Sequence, residues 1–167
     1  MADQPLTDYQ KVVEFHQKFK QPQVDGPPSL EAIEDRIHLR MDLIAEEFEE
    51  LIEAVYGPAA AKLFLEVWPA VKAADEGARD LIATTDALGD LKVVINGFGV
   101  EANIDLDAVV SEVHASNMSK LDEEGEPIVS DGLTPDPRDG KVKPKGKILK
   151  GPNFFEPNLE RVLFKGE

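Results

Sequence analysis

The chain has 167 residues, 42% hydrophobic and 31% charged, and its 33 acidic against 18 basic residues give a net charge of −15. That length suits one domain with a core of its own, and the acid excess argues against a nucleic-acid binder, because phosphate backbones call for basic surface. Cysteine is absent, which excludes disulfides and thiolate-held zinc and fits a cytosolic setting. The sequence does not open on a basic region followed by an apolar run, and no apolar stretch is long enough to span a bilayer. A soluble, cytoplasmic protein with no membrane partner is expected.

In chain order, Thr7 and Gln10 have capping-box spacing, and Tyr9, Val12, Val13, Phe15 and Phe19 suit an amphipathic helix that ends before Gln21 to Pro28. A second helix is expected from the cap residue Ser29 to Tyr56, where Gly57 and Pro58 stop it. Its apolar ridge is Ile33, Ile37, Ile44, Phe48, Leu51 and Val55. A third stretch, Ala59 to Ala74, carries Pro69 and should be kinked or broken near Trp68. A fourth helix, Gly77 to about Gly99, is apolar nearly all round and reads as buried. Asp105 caps a short helix ending near Ser116. Gly, Pro and Asp then dominate to Asn158, with Lys147 to Leu149 a candidate strand, so this stretch reads as an ordered arm, closed by a last helical turn from Leu159 to Phe164. The expected fold is all-α, a helical bundle over residues 1–119 with a Gly/Pro/Lys-rich C-terminal arm over 120–167 that belongs to the same domain.

Two acidic clusters call for more than solvation. LIAEEFEELIEAV contains EExxE at Glu46, Glu47 and Glu50. At 100° per residue Glu47 lies about 60° from Ile44 and shares a stripe with Leu43, Glu50 and Ala54, bordering the ridge. Glu47 and Glu50 repel each other unless a divalent cation sits between them. In TTDALGDLKVVINGF, Asp86 and Asp90 are one turn apart on a helix expected to be buried, where a carboxylate is costly unless paired or metal-bound. Lys92 is a candidate salt-bridge partner, but it projects about 120° from Asp86 and about 160° from Asp90, which disfavours its neutralising both. Gly89 leaves room for close approach by another helix or a ligand. If the two helices pack together, Glu47, Glu50, Asp86 and Asp90 converge on one ion, set against the plainer reading of solvated or salt-bridged surface acids.

Hard oxygen donors without histidine or cysteine suit Mg²⁺, with Mn²⁺ as a substitute. His16, His38 and His114 lack the spacing of a di-iron bundle. An all-acid site accepts a phosphate only through metal ions, and two of them could activate water and stabilise the leaving oxygen. Glu46 is placed to hold the second ion or orient that water. GKVKPKGKILK, with Lys141, Lys143, Lys145, Lys147 and Lys150, is either a solubilising loop or a cationic arm that closes over phosphates.

IHLRMDLIAEEFEELIEA, DALGDLKVVINGFG, DLDAVVSEVHASNMSKLDEEGEPI and GKILKGPNFFEP together resemble the MazG-like and phosphoribosyl-ATP pyrophosphohydrolase-like superfamily over most of the chain. SNMSK and KGPNFF carry the resemblance more specifically than EExxE. It implies a helical assembly, a homodimer or dimer of dimers, and Mg²⁺-dependent cleavage of a nucleotide to a monophosphate and pyrophosphate. Carried onto matching positions, it implies Glu47 and Glu50 as metal ligands with Glu46 assisting, and Asn117 and Lys120 as phosphate or sugar contacts. The family's second acidic element is usually Glu-x-x-Asp, whereas here Ala83 precedes Asp86 and Ala87 precedes Asp90. Either the two aspartates replace it as a one-turn pair or the metal site is thinner. The expected activity is hydrolysis of a nucleoside triphosphate between its α- and β-phosphates, for housecleaning of the nucleotide pool. The rivals are a narrow dUTPase or dCTPase and a non-catalytic nucleotide- or protein-binding bundle.

Overall fold

In the computed structural model, which describes residues 4–164, the regular structure is helical: α1 (Asp8–Lys18), a 3-10 segment (Glu31–Arg36), α2 (Ile37–Tyr56), α3 (Pro58–Ala73), α4 (Leu81–Glu101), α5 (Leu106–Met118) and α6 (Leu159–Leu163). Contacts divide the chain into two units, one of Met1–Gln23 with Leu91–Glu167 and one of Val24–Asp90.

In the unit Val24–Asp90, the helix expected from Ser29 starts later and differently. The Ser29 hydroxyl accepts from the Ala32 N–H at 3.1 Å, but Ile33 has φ −123° and ψ 19°, so a 3-10 segment precedes α2 rather than extending it. Gly57, at φ +88°, turns the chain between α2 and α3, a backbone angle other residues rarely adopt. Pro58 then opens α3, where its missing N–H costs no hydrogen bond. The break expected at Pro69 does not occur, and α3 runs through it. Side chains on either side of the proline hold the helix to α2: the Trp68 indole donates to Asp42 Oδ1 at 2.8 Å and Lys72 Nζ to Asp42 Oδ2 at 2.7 Å. Phe48 meets Phe64 edge-on at 5.5 Å, and Phe64 stacks on Trp68 at 6.1 Å.

In the other unit, the capping box forms as the spacing predicts: Thr7 Oγ1 accepts from the Gln10 N–H, and Gln10 Oε1 from the Thr7 N–H. α1 lies on α5, tied by Lys11 Nζ to Ser111 Oγ at 2.9 Å and by His114 Nε2 to Glu14 Oε2 at 3.0 Å. Phe19, 2% exposed, stacks on Phe15 at 4.2 Å. α6 docks on α5 through Glu112, which accepts from the Asn158 N–H at 2.9 Å and from Arg161 Nη2 at 2.7 Å. The segment between them is irregular. Lys147 to Leu149 forms no strand, only an isolated bridge from Ile148 to Val129, with two further bridges at Leu121–Pro127 and Pro135–Val142.

One expectation about burial is corrected. α4 is not buried within the chain: no other helix packs along it among the described residues, and Ile82 is 78% and Val100 80% exposed. The ridge residues Ile44, Phe48, Leu51 and Val55 of α2 are exposed as well. Phe19, Ala45 and Ala61 are the buried hydrophobic residues among those described. A single copy therefore leaves much apolar helix surface in water.

Candidate functional site

The 20-residue α2 carries EExxE in its middle, far from frayed ends. Glu46, Glu47 and Glu50 are exposed there, beside the half-exposed ridge of Ile44, Phe48 and Leu51. The carboxylates of Glu46 and Glu50 have no hydrogen-bond or ion-pair partner among the described residues. Asp86 and Asp90 stand one turn apart on α4, also exposed and also without a partner for their carboxylates among the described residues. The desolvation that the sequence pattern suggested for these aspartates is thus absent in a single copy. Lys92 neutralises neither of them and lies 3.9 Å from Asp8.

Among the described residues no three acidic or histidine side chains come together where one ion could be held. The donor chemistry nonetheless suits a hard cation, since the glutamates offer oxygen on one helical face with no cysteine or histidine among them. One chain supplies this donor set on two helices without gathering it. His38 and His114 take structural partners instead, Asp75 at 3.2 Å and Glu14 at 3.0 Å.

The sequence pattern did not single out the polar network that fixes this end of α2. Asp42 takes both Trp68 and Lys72, and the Lys72 ammonium first, then the Trp68 indole, hold its carboxyl below the usual carboxylate range. Arg79 bridges Asp75 at 2.8 Å and Glu34 at 3.0 Å; its hydrogen bonds, followed by the Gly77 N–H, depress the Asp75 carboxyl strongly. The detectable signal was Trp68 and Lys72 one turn apart on α3, presenting two donors to one acid.

The lysines singled out from the sequence, Lys120 and Lys141 to Lys150, lie in the unit containing α5. Asn117 Oδ1 accepts from Lys120 Nζ at 2.6 Å, so these two residues, singled out from SNMSK, are brought together at the end of α5. The KGPNFF stretch folds onto the same helix end. The Gly151 N–H donates to Lys120 O at 3.0 Å, the Phe155 N–H to Ser119 Oγ at 3.1 Å, and Ser116 Oγ to Phe155 O at 2.8 Å. A Cβ on Gly151 would lie 2.2 Å from Leu121 O, so the close approach requires glycine. Lys150 Nζ is 2.6 Å from Glu156 Oε1 and 4.2 Å from the Phe154 ring centroid, and Arg138 Cζ is 5.4 Å from that centroid. Lys143 pairs with Asp139. Arg138 and Phe154 were not legible as a pair, being far apart in sequence.

No helix among the described residues is long and apolar enough to cross a membrane. No curated protein matches the chain. The crystal structure of a candidate NTP pyrophosphohydrolase from Exiguobacterium sp. 255-15 is similar to it, at 27% identity and TM-score 0.62, over 95% of this chain and 92% of that one. The sequence model described as phosphoribosyl-ATP pyrophosphohydrolase matches residues 12–117, a span from α1 through the acidic helices to Asn117. With most of the chain matched and the helical fold shared, the protein belongs to the phosphoribosyl-ATP pyrophosphohydrolase family of enzymes.

Proposed function

We propose that the chain is a cytoplasmic, Mg²⁺-dependent hydrolase of a nucleoside triphosphate, a deoxy or non-standard one, that clears the nucleotide pool. Water attacks the α-phosphorus, the α–β anhydride bond breaks, and a nucleoside monophosphate and pyrophosphate leave. The observation that carries this reading is the stripe of Glu47 and Glu50 on the solvent-accessible middle of α2, beside apolar surface that a single copy leaves exposed. Glu47 and Glu50 would hold the metal, joined by Asp86 and Asp90, and Mn²⁺ would serve in its place. A divalent ion held there would neutralise the approaching phosphate and ease ionisation of water. Glu46 would orient the attacking water and take its proton. Asn117, Lys120 and Lys150 bind the anionic part of the substrate.

The uncovered faces of α2 and α4 support assembly as a homodimer or dimer of dimers, because large contiguous apolar surfaces on soluble proteins mark interfaces. Assembly would also gather the two carboxylate pairs that one chain keeps on separate helices.

The test is pyrophosphate release across a panel of ribo- and deoxynucleoside triphosphates with Mg²⁺ or Mn²⁺. Glu47→Gln and Glu50→Gln should each lower kcat by about a hundredfold or more, as loss of a group stabilising the transition state does. Release from dUTP or dCTP alone would establish the narrower enzyme. An intact panel, with Mg²⁺ binding unchanged in the double variant, would leave only a non-catalytic bundle.

A further inference from the structure

We propose that Arg138 and Lys150, gathered on the ring of Phe154, form a binding site for a polyphosphate anion. The identification of that anion as pyrophosphate, free or as part of a nucleotide, rests on the pyrophosphohydrolase reading above. The site lies within the C-terminal segment, and each of its parts is fixed by backbone. Asp136, 7% exposed, accepts from the Arg138 N–H at 2.9 Å, while its own N–H donates to Lys141 O at 2.9 Å and its carbonyl accepts from the Gly140 N–H at 2.8 Å. That turn presents Arg138. A second turn, with the Phe154 N–H donating to Gly151 O at 3.2 Å, presents the ring, and Gly151 is itself held to Lys120.

Two cations on one ring repel each other, and the ring's quadrupole attracts both without neutralising either. The chain carries 33 acidic residues, yet Arg138 has no carboxylate partner among the described residues. Lys150 has one, Glu156, in an exposed pair that an anion can displace. The guanidinium offers a planar fork matched to phosphate oxygens and the ammonium a point charge, so an anion with more than one phosphate group can engage both. Positive charge over Phe154 also favours the phosphate end of a nucleotide there over its base.

The probe is sodium pyrophosphate, titrated calorimetrically in chelator-treated buffer, with orthophosphate for comparison. The unmodified chain should bind pyrophosphate more tightly than orthophosphate. Arg138→Gln should weaken pyrophosphate about tenfold, the loss of one charge-assisted interaction. Arg138→Lys should recover part of that loss, and Lys150→Gln should weaken binding as well. Glu156→Gln, which frees Lys150, should tighten it. Circular dichroism confirms that each variant folds, which the exposure of Arg138 favours. No pyrophosphate binding by the unmodified chain, binding within about twofold of it in Arg138→Gln, or weaker binding in Glu156→Gln would overturn the proposal. Pyrophosphate binding lost in Arg138→Gln, in a chain that hydrolyses no nucleotide, would leave this site standing and remove the reaction. Hydrolysis with pyrophosphate affinity indifferent to Arg138 would do the reverse.

Discussion

Replacing Gly151 by alanine adds one methyl group at a place with no room for it. The new Cβ would meet Leu121 O at 2.2 Å, Lys120 O at 2.7 Å and the Leu121 carbonyl carbon at 2.8 Å, all backbone atoms that no rotamer change can move. The Lys120–Leu121 backbone is in turn fixed by the end of α5, through Lys120 N–H to Asn117 O at 3.2 Å and Leu121 N–H to Met118 O at 3.3 Å. Relief must come from lifting the 151–155 stretch away, which breaks the 3.0 Å bond from the Gly151 N–H to Lys120 O. Overpacking of this kind costs about 1–3 kcal/mol, and the broken hydrogen bond adds about 1 kcal/mol. A loss of about 2–4 kcal/mol corresponds to a fall in melting temperature of roughly 5–15 °C for a chain of this length. Far-ultraviolet circular dichroism melts measure it, with hydrogen exchange at Gly151 and Phe155 reporting the lifted stretch. Gly125→Ala is the control, since its Cβ would meet nothing within 4 Å and only the φ of +80° opposes it, at about 1–2 kcal/mol. A Gly151→Ala melt within about 1 °C of the unmodified chain, or no lower than that of Gly125→Ala, would refute the steric reasoning.

Gly89 sits on α4 with open space around it, so Gly89→Leu should raise the helical stability of an isolated chain yet weaken association if another copy packs there. Sedimentation over a concentration series decides, and an unmodified chain that stays monomeric throughout would sink the assembly reading. Asp131 is held down to about 2, first by the Thr134 backbone N–H, then by the Thr134 hydroxyl and the Leu133 N–H. A depressed folded pKa stabilises above the unfolded value of about 4 and ceases to as pH falls through the folded one. Melts of Asp131→Asn against the unmodified chain should therefore differ most above pH ~4 and converge toward pH ~2, whereas a gap independent of pH would show that the carboxylate charge contributes nothing.

Local signals in the sequence were read correctly where the chemistry is local. The Thr7 capping box, the Gly57–Pro58 turn and the Asp105 cap each involve residues within one turn of each other, and each forms. Of the kink or break expected at Pro69, the break does not occur, because propensity does not include the two donors that fasten Trp68 and Lys72 to Asp42. The apolar circumference of α4 predicts a buried helix, and the structure leaves it exposed. Periodicity reports that a face avoids water, but it is silent on whether the covering surface belongs to the same copy. Glu47, Glu50, Asp86 and Asp90 stood out as acids on apolar helices, a pattern visible in one dimension. The association of Arg138 with Phe154 depends on how an irregular segment folds back, and no period announces that.

Trp68 is the single tryptophan of the chain, and its indole N–H is bonded to Asp42 across the α2–α3 hairpin. Intrinsic fluorescence excited at the indole therefore follows one junction. Loss of that bond exposes the ring to water and red-shifts its emission, while detachment of residues 120–158 changes no tryptophan at all. Fluorescence and hydrogen exchange at Gly151 and Phe155 followed on the same sample should separate whenever the C-terminal segment lets go first, which turns a lone chromophore into a clock for the order in which the two units unfold.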